Sequence, residues 1–177
     1  MDRIVATITT LPQHFDAVQQ EAMRYRPVRC PKCGLGRLWG HGRYWRKVHR
    51  HPGSGEHELA PVPRFRCNGC GGTCSRLPAC IAPRRWHGWQ TQQDALCTLT
   101  ESQSVRAAAR VAKVCRSTVR RWQVWLVLRA EIFAFHLKSH FPDWARVPDL
   151  VAFWRETLVG RSLQEAMATL DSHLTVP

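Results

Sequence analysis

Residues 30–33 read Cys30-Pro31-Lys32-Cys33, and residues 67–70 read Cys67-Asn68-Gly69-Cys70. Gly34 and Gly71 follow the pairs directly, and residues 34–66 separate them. A Cys-x-x-Cys pair curls the backbone into a knuckle that aims two sulfurs at one point. Two knuckles supply four thiolates, the donor set of a closed tetrahedral zinc site. A glycine after each pair suits the tight turn, where backbone N–H groups approach the sulfurs. Cys30, Cys33, Cys67 and Cys70 are therefore read as ligands of one structural Zn2+. Such a site holds a fold together and does no chemistry itself.

Two β-like runs lie between the knuckles, Leu38 to Val48 and His57 to Arg66, with a turn signal at Pro52, Gly53, Ser54 and Gly55. A third short run, Thr73 to Leu77, follows the second knuckle. Two long strands and a short one around one zinc make a zinc ribbon over residues 28–82. Its core is too small to stand alone, so metal binding and folding are expected to be coupled. Cys74 reads as a small core residue beside the site. Cys80, Cys97 and Cys115 read as isolated, small buried residues. The histidines near the hairpin tip, His49, His51 and His57, lack the spacing of a helical metal site and read as solvated surface.

The chain of 177 residues carries a net charge of +13, with pI about 10.3. That balance argues for a polyanionic partner and says nothing of fold. The charge is uneven. Residues 1–90 hold 15 Lys and Arg against 5 Asp and Glu, residues 91–128 hold 6 against 2, and residues 129–177 hold 5 against 6. The first two-thirds is built to meet negative charge and the last third is not. The first twenty residues lack an apolar run of signal-peptide length, and no stretch is long enough to span a membrane. With paired Cys-x-x-Cys spacing, this reads as an intracellular protein with reduced thiols, cytoplasmic, or nucleoid-associated if bacterial.

Residues 1–27 form an N-terminal lead, with a short strand or turn near Ile4 and a helix from Gln13 to Tyr25. After the ribbon comes the basic, aromatic junction of residues 83–90. Arg84 and Arg85 are candidates for phosphate contact; Trp86 and Trp89 are candidates for packing one module on the other. Residues 83–128 read as a helix-turn-helix. A first helix spans Thr91 to Thr100. Val105, Ala108, Ala109 and Ala112 then form a small-residue face that a second helix can cross closely. A turn at Lys113–Val114–Cys115 leads to a recognition helix starting near Arg116 to Thr118. Cysteine is a poor cap, which favours a start at Ser117. Val119 and Trp122 face inward. Arg120, Arg121 and Gln123 are expected to reach base edges, and Arg106 and Arg116 to support them. Ser117 and Thr118 are expected to bind phosphate through their hydroxyls. Residues 129–177 read as aromatic helices divided by Pro142 and Pro148, ending in a helix from Ser162 to Leu170. They are assigned to dimerisation or to docking an effector protein. The fold class expected is small α+β, a zinc ribbon followed by a helix-turn-helix and C-terminal α-helices.

The segments RCPKCG (29–34), GHGRYWRKV (40–48), RFRCNGCGGTCSRLP (64–78) and SVRAAARVAKVCRSTVRRW (104–122) together resemble the zinc-ribbon plus helix-turn-helix region of insertion-sequence transposases. They are also similar to the small accessory DNA-binding proteins of such elements. The resemblance implies a structural ribbon and a helix-turn-helix on element ends or regulatory DNA, with Ser117, Thr118, Arg120 and Arg121 facing the duplex. Where the family turn often has Gly, an apolar residue and Ser, this chain has Lys113, Val114 and Cys115. Only 49 residues follow Leu128, without the strands that converge catalytic carboxylates in a two-metal transposase core. The expectation is a non-enzymatic, sequence-specific double-stranded DNA-binding protein, either a transposon-related accessory factor or a transcriptional regulator. The alternative is a DNA-targeting or interaction subunit of a larger transposition or nucleic-acid-processing complex. A third reading, an RNA-binding ribbon, leaves the helix-turn-helix without a use.

Overall fold

The computed structural model describes residues 3–50, 57–83, 87–147, 149–171 and 174. The turn residues Pro52 to Gly55, the junction residues Arg84, Arg85 and Trp86, and Pro148 lie outside them. The N-terminal lead forms strand β1 (Ile4–Val5) and helix α1 (Leu11–Gln20), then a 3-10 turn at Ala22–Tyr25. Helix α1 starts at Thr10 because a reciprocal cap satisfies its free N–H groups. The Thr10 hydroxyl accepts from the Gln13 backbone N–H at 3.4 Å, and the Gln13 side-chain Oε1 accepts from the Thr10 backbone N–H at 3.3 Å.

The ribbon strands are β2 (Leu38–Arg50) and β3 (His57–Cys67), an antiparallel pair in which Tyr44 stands opposite Val62. The register shifts between Gly40 and Arg43, where Gly42 adopts φ 73°. One extra residue on β2 makes a bulge, and glycine takes the left-handed conformation it requires. The expected third run divides in two. Strand β4 (Thr73–Cys74) joins β3, while β5 (Leu77–Pro78) pairs in parallel with β1. The lead is therefore built into the ribbon: Ile8, Ala17, Val18 and Tyr25 are buried in one cluster with Cys30, Leu38, Phe65 and Cys67.

Five helices follow: α2 (Trp89–Ser102), α3 (Val105–Val111), α4 (Arg116–His140), α5 (Leu150–Gly160) and α6 (Leu163–Asp171). The chain is thus a mixed α+β protein, with six α-helices and a hairpin sheet among the described residues. Helix α4 is continuous for 25 residues, so the boundary expected at 128/129 falls inside one helix. The charge shift there marked a change of surface, not of module. One apolar core joins α2 through α6, including Leu96, Leu99, Ala108, Trp122, Phe133, Leu137, Phe153, Leu158 and Met167. Full burial of each large member contributes about 1.5–3 kcal/mol. The expected final helix is α6, and Leu163, Ala166, Met167 and Leu170 form its buried face.

Hydrogen bonds tie ribbon and helices together, among them one from the Gln164 side-chain amide to the Thr9 carbonyl at 3.1 Å. The buried Asp171 carboxylate at the end of α6 accepts from the backbone N–H of Arg3 and, at 2.7 Å, from that of Ile4. Trp89, at the start of α2, is buried and donates its indole N–H to the Ala79 carbonyl at 2.7 Å. The packing role expected of Trp89 is the one the structure gives it.

Candidate metal centre and basic helical surface

Each Cys-x-x-Cys pair folds as a knuckle because a glycine closes it. Gly34 (φ 75°) donates its N–H to the Cys30 carbonyl at 2.8 Å, and Gly71 (φ 67°) donates to the Cys67 carbonyl at 2.9 Å. Within the knuckles, the Lys32 N–H points at the Cys30 sulfur at 3.5 Å and the Gly69 N–H at the Cys67 sulfur at 3.3 Å. The Asn68 N–H donates to the Arg37 carbonyl at 2.9 Å and locks the two knuckles in register. Space around the second knuckle is tight. A Cβ on Gly69 would stand 2.4 Å from the Leu35 side chain.

The four sulfurs lie within 4.8 Å of one another. Cys30 and Cys70 are 3.7 Å apart, and Cys33 and Cys67 are 3.6 Å apart. These are not disulfide distances. A tetrahedron of sulfurs about 2.3 Å from a zinc ion has edges of about 3.8 Å, so both measured edges fit that geometry. The donors are prepared unequally. The N–H groups of Cys33 and Lys32 draw the Cys30 thiol down to about 6. The Cys70 N–H lowers Cys67. The Leu35 N–H also lowers Cys33, but burial and its thiol neighbours outweigh it and leave that group at about 12. Without a cation, four thiolates this close repel, and a divalent ion at the centre removes that conflict. Cys30, Cys33, Cys67 and Cys70 thus lie together in an arrangement consistent with one metal site.

Cys74 stays outside the set. It is half-buried against the same cluster, and burial raises its thiol. Cys80 and Cys97 are likewise half-buried. Cys115 corrects the expectation, for it is exposed. It sits at the mouth of α4, where the turn turns it to solvent.

The second candidate surface is built by α3 and α4. Ser104 caps α3, its hydroxyl accepting from the Ala107 N–H at 3.2 Å. Ala108, Ala109 and Ala112 are buried, and their small side chains let neighbouring helices approach closely. Lys113 turns the chain with φ 52°, in the conformation for which glycine is preferred. Helix α4 begins at Arg116 and not at Ser117, although Cys115 makes no side-chain cap bond. Val119 and Trp122 are 0% and 2% exposed, which fixes the rotation of α4 and turns its opposite face outward.

On that outward face stand Ser117, Arg120 and Arg121, all exposed. Arg106 and Arg116 line a shallow groove of about 560 Å³ with Ser104, Arg110, Val114 and Cys115. Thr118 is half-buried, and its hydroxyl accepts from Arg121 at 3.3 Å and contacts the Cys115 sulfur at 3.0 Å. Gln123 is half-buried and lines an apolar groove with Leu96, Leu99, Leu126 and Trp154. From Ser102 to Ala130 the sequence has no Asp or Glu, against Arg106, Arg110, Lys113, Arg116, Arg120, Arg121 and Arg129. The first turn of α4 holds no acidic residue. Its cations sit at the helix end where the backbone dipole is positive, an arrangement unfavourable in isolation and relieved by an anion.

The hydroxyls of Ser117 and Thr118, with the start of α4, lower the Cys115 thiol to about 7. Sequence reasoning missed this thiol because it depends on the turn geometry. It also missed a buried pair in the N-terminal lead, where Nδ1 of His14 on α1 lies 2.6 Å from the hydroxyl of Tyr25 in the 3-10 turn. Burial lowers His14 and raises Tyr25, so both stay neutral. A histidine on the apolar face of α1 was the available signal. Among the described residues, no helix is long and apolar enough to cross a membrane.

Residues 30–122 match the protein family described as Domain of unknown function (DUF6431), which covers just over half of the chain and both surfaces described above. The chain belongs to that family. No curated protein and no solved structure matches it.

Proposed function

We propose that this DUF6431 protein is a non-enzymatic, sequence-specific double-stranded DNA-binding protein, a transposon-related accessory factor or a transcriptional regulator. The observation that carries the reading is the α3–turn–α4 unit. Buried Val119 and Trp122 hold α4 so that Ser117, Arg120 and Arg121 face outward, with Arg106 and Arg116 beside its start. In this reading α3 and α4 are a helix-turn-helix, and α4 enters the major groove by its first turns. Arg120 and Arg121 read base edges; Arg106, Arg116 and Ser117 grip phosphate, and Thr118 aims Arg121. Gln123 falls outside the reading set because it lines the groove beside Trp154. Arg84 and Arg85, outside the described residues, remain assigned to flanking phosphates. The metal is Zn2+. An all-sulfur tetrahedral donor set suits it, and its role is to staple the ribbon.

A second reading is a targeting subunit of a larger transposition or nucleic-acid-processing complex. It is favoured by one observation. Val124, Val127, Leu128, Ile132 and Phe135 of α4 are 49–77% exposed, and large apolar side chains grouped at the surface mark a contact with protein. A homodimer uses the same stripe.

The test is selection of bound sequences from a random duplex pool by zinc-loaded protein at physiological salt. A single enriched motif is expected. Arg120→Ala should then lose about 1–3 kcal/mol on that motif and relax preference at one position. Retention of duplex without enrichment moves the second reading to the front.

A further inference from the structure

The ribbon holds a cleft that the reading above does not use. Strand β4 joins β3 while β5 joins β1, so Ser75 and Arg76 carry the chain from one sheet to the other. Where the two sheets part, a cleft of about 370 Å³ opens. Tyr44 and Arg46 enter it from β2, Thr73 from β4, Ser75 from the crossover and Lys32 from the first knuckle. No described Asp or Glu lines it. Arg46 is half-buried, and its guanidinium donates to the Ala82 carbonyl at 2.9 Å, which occupies one of the five N–H donors such a group carries. Its Nε is enclosed without an acceptor, and it meets no carboxylate among the described residues. The hydroxyls of Tyr44, Thr73 and Ser75 likewise bond to no other described residue. The Arg64 guanidinium lies over the Tyr44 ring, 5.2 Å from its centroid, and braces it. Arg3 borders the cleft but is engaged elsewhere, and the Lys32 ammonium also acts on the Cys74 thiol. Arg46 is therefore the cation with donors to spare.

From this convergence we infer that the ribbon cleft binds a nucleotide, a phosphate monoester on a nucleoside, at a site separate from the duplex-reading surface of α4. The inference stands whether or not α4 reads a duplex. The donors come from two strands, a crossover and a knuckle, so they approach an anion from several sides. A flat carboxylate offers two oxygens in one plane. A phosphate monoester offers three around a tetrahedron and carries more charge, which suits a guanidinium with hydroxyls about it. The remaining space selects the body that carries the phosphate. Sites for organic ligands run from about 300 to 1,000 Å³, and this cleft stands at the small end of that range, with room beyond a phosphate alone. Pro27, Pro31, Pro83 and Leu77 wall that room. They are rigid or apolar, and an uncharged sugar and base can lie against them without stranding a charge. A free nucleotide and the phosphorylated end of a strand both present this chemistry.

The experiment titrates the zinc-loaded full chain by calorimetry with adenosine monophosphate, thymidine monophosphate, the two nucleosides and inorganic phosphate. A nucleotide should bind about tenfold more tightly than its nucleoside or phosphate alone. Arg46→Ala and Tyr44→Phe should each weaken the nucleotide roughly tenfold. Tyr44→Phe keeps the ring under Arg64, so it removes the hydroxyl and spares the packing. Ser75→Glu sets a carboxylate in the cleft and should abolish binding. Arg120→Ala should leave the nucleotide bound as before, so a failure of the α4 reading is distinguishable from a failure of this one. Anisotropy of labelled oligothymidine with and without a terminal phosphate separates the sources. A gain from the phosphate assigns the strand end, and equal binding assigns the free nucleotide. Neither nucleotide bound, or binding unchanged in both Arg46→Ala and Tyr44→Phe at equal zinc content, would overturn the inference. Inorganic phosphate held as tightly as the nucleotides would overturn it too.

Discussion

Removing the metal should unfold one half of the protein and spare the other. Cys30 and Cys67 are buried in a small cluster with Val5, Ile8, Ala17, Val18, Tyr25, Leu38 and Phe65. That cluster has no other covalent or ionic staple among the described residues. In small zinc modules the metal contributes about 10–16 kcal/mol to folding, and whole domains are stable by only about 5–15 kcal/mol. Stripping zinc should therefore take the ribbon past its midpoint at any temperature. The helical core is built differently. Its apolar side chains come mainly from five helices, with Ile4, Ala79 and Ala82 joining from the ribbon side, and include no metal ligand. The assay is hydrogen exchange on chelated protein. Amides of β2, β3 and α1 should lose protection, while those of α2, α4 and α6 should keep theirs. Circular dichroism should lose strand signal and retain most helix. Full protection of β2 and β3 after zinc is shown to be gone would refute the coupling. Collapse of α2 to α6 along with the ribbon would refute the division of the core.

Cys115 supplies a pH test. Its thiol lies at about 7, drawn down by the Ser117 and Thr118 hydroxyls. A depressed thiol ionises as pH rises, and the thiolate then stands where phosphate is proposed to lie. Duplex affinity should fall as pH rises through about 7, and Cys115→Ser should flatten the profile; an unchanged profile in the variant removes Cys115 from the interface. Alkylation should also be faster at Cys115 than at Cys80, whose thiol burial raises to about 11. Trp122→Ala empties a site that is 2% exposed and edge-packed on His87 at 5.6 Å. It should cost about 3–5 kcal/mol, read as a melting drop of roughly 10 °C, and an unshifted melt would show that α4 is not held there. Leu128→Glu places a charge on a residue that is 77% exposed. Light scattering should show dimer or effector complex lost with the melting temperature held, and a protein monomeric before and after, with no bound effector, would empty the stripe of its role.

The sequence was readable where the determinants are local. A Cys-x-x-Cys knuckle is closed by its own glycine within five residues, so Cys30, Cys33, Cys67 and Cys70 could be found from spacing alone. The strands followed from composition, and the inward set of Val119 and Trp122 from helical period. Features that depend on distant contacts could not be found this way. Strand β5 separates from β4 because β1, more than seventy residues earlier, offers it a partner. Asp171 is an ordinary terminal acid in sequence, and it is buried because the N–H groups of Arg3 and Ile4 arrive beside it. The length of α4 was hidden for a related reason. Val124, Val127, Leu128, Ile132 and Phe135 have core composition, and nothing in the order of residues says that they face solvent.

If the protein binds DNA as proposed, helix α4 also limits how the duplex can be met. At 3.6 residues per turn, Ser117, Arg120, Arg121, Val124, Leu128 and Phe135 fall in one outward sector, opposite Val119, Trp122, Leu126, Phe133 and Leu137. The burial of the two sets agrees with that division. After Arg121 the outward sector changes from cationic to apolar. A helix lying along a groove for its full length would press Leu128 and Phe135 against phosphates, which desolvates charge for no compensating contact. Only the first two turns can therefore lie against a duplex, and the rest of α4 must leave it. Leaving exposes the apolar half beside the DNA, where a partner bound to an adjacent site would meet it. Substitutions on the two halves should accordingly separate. Arg120→Ala should weaken DNA binding with assembly intact, and Leu128→Glu should weaken assembly while a single half-site is still bound. If Leu128→Glu abolished binding to one half-site as fully as Arg120→Ala, the apolar half would lie against DNA and this division of α4 would be wrong.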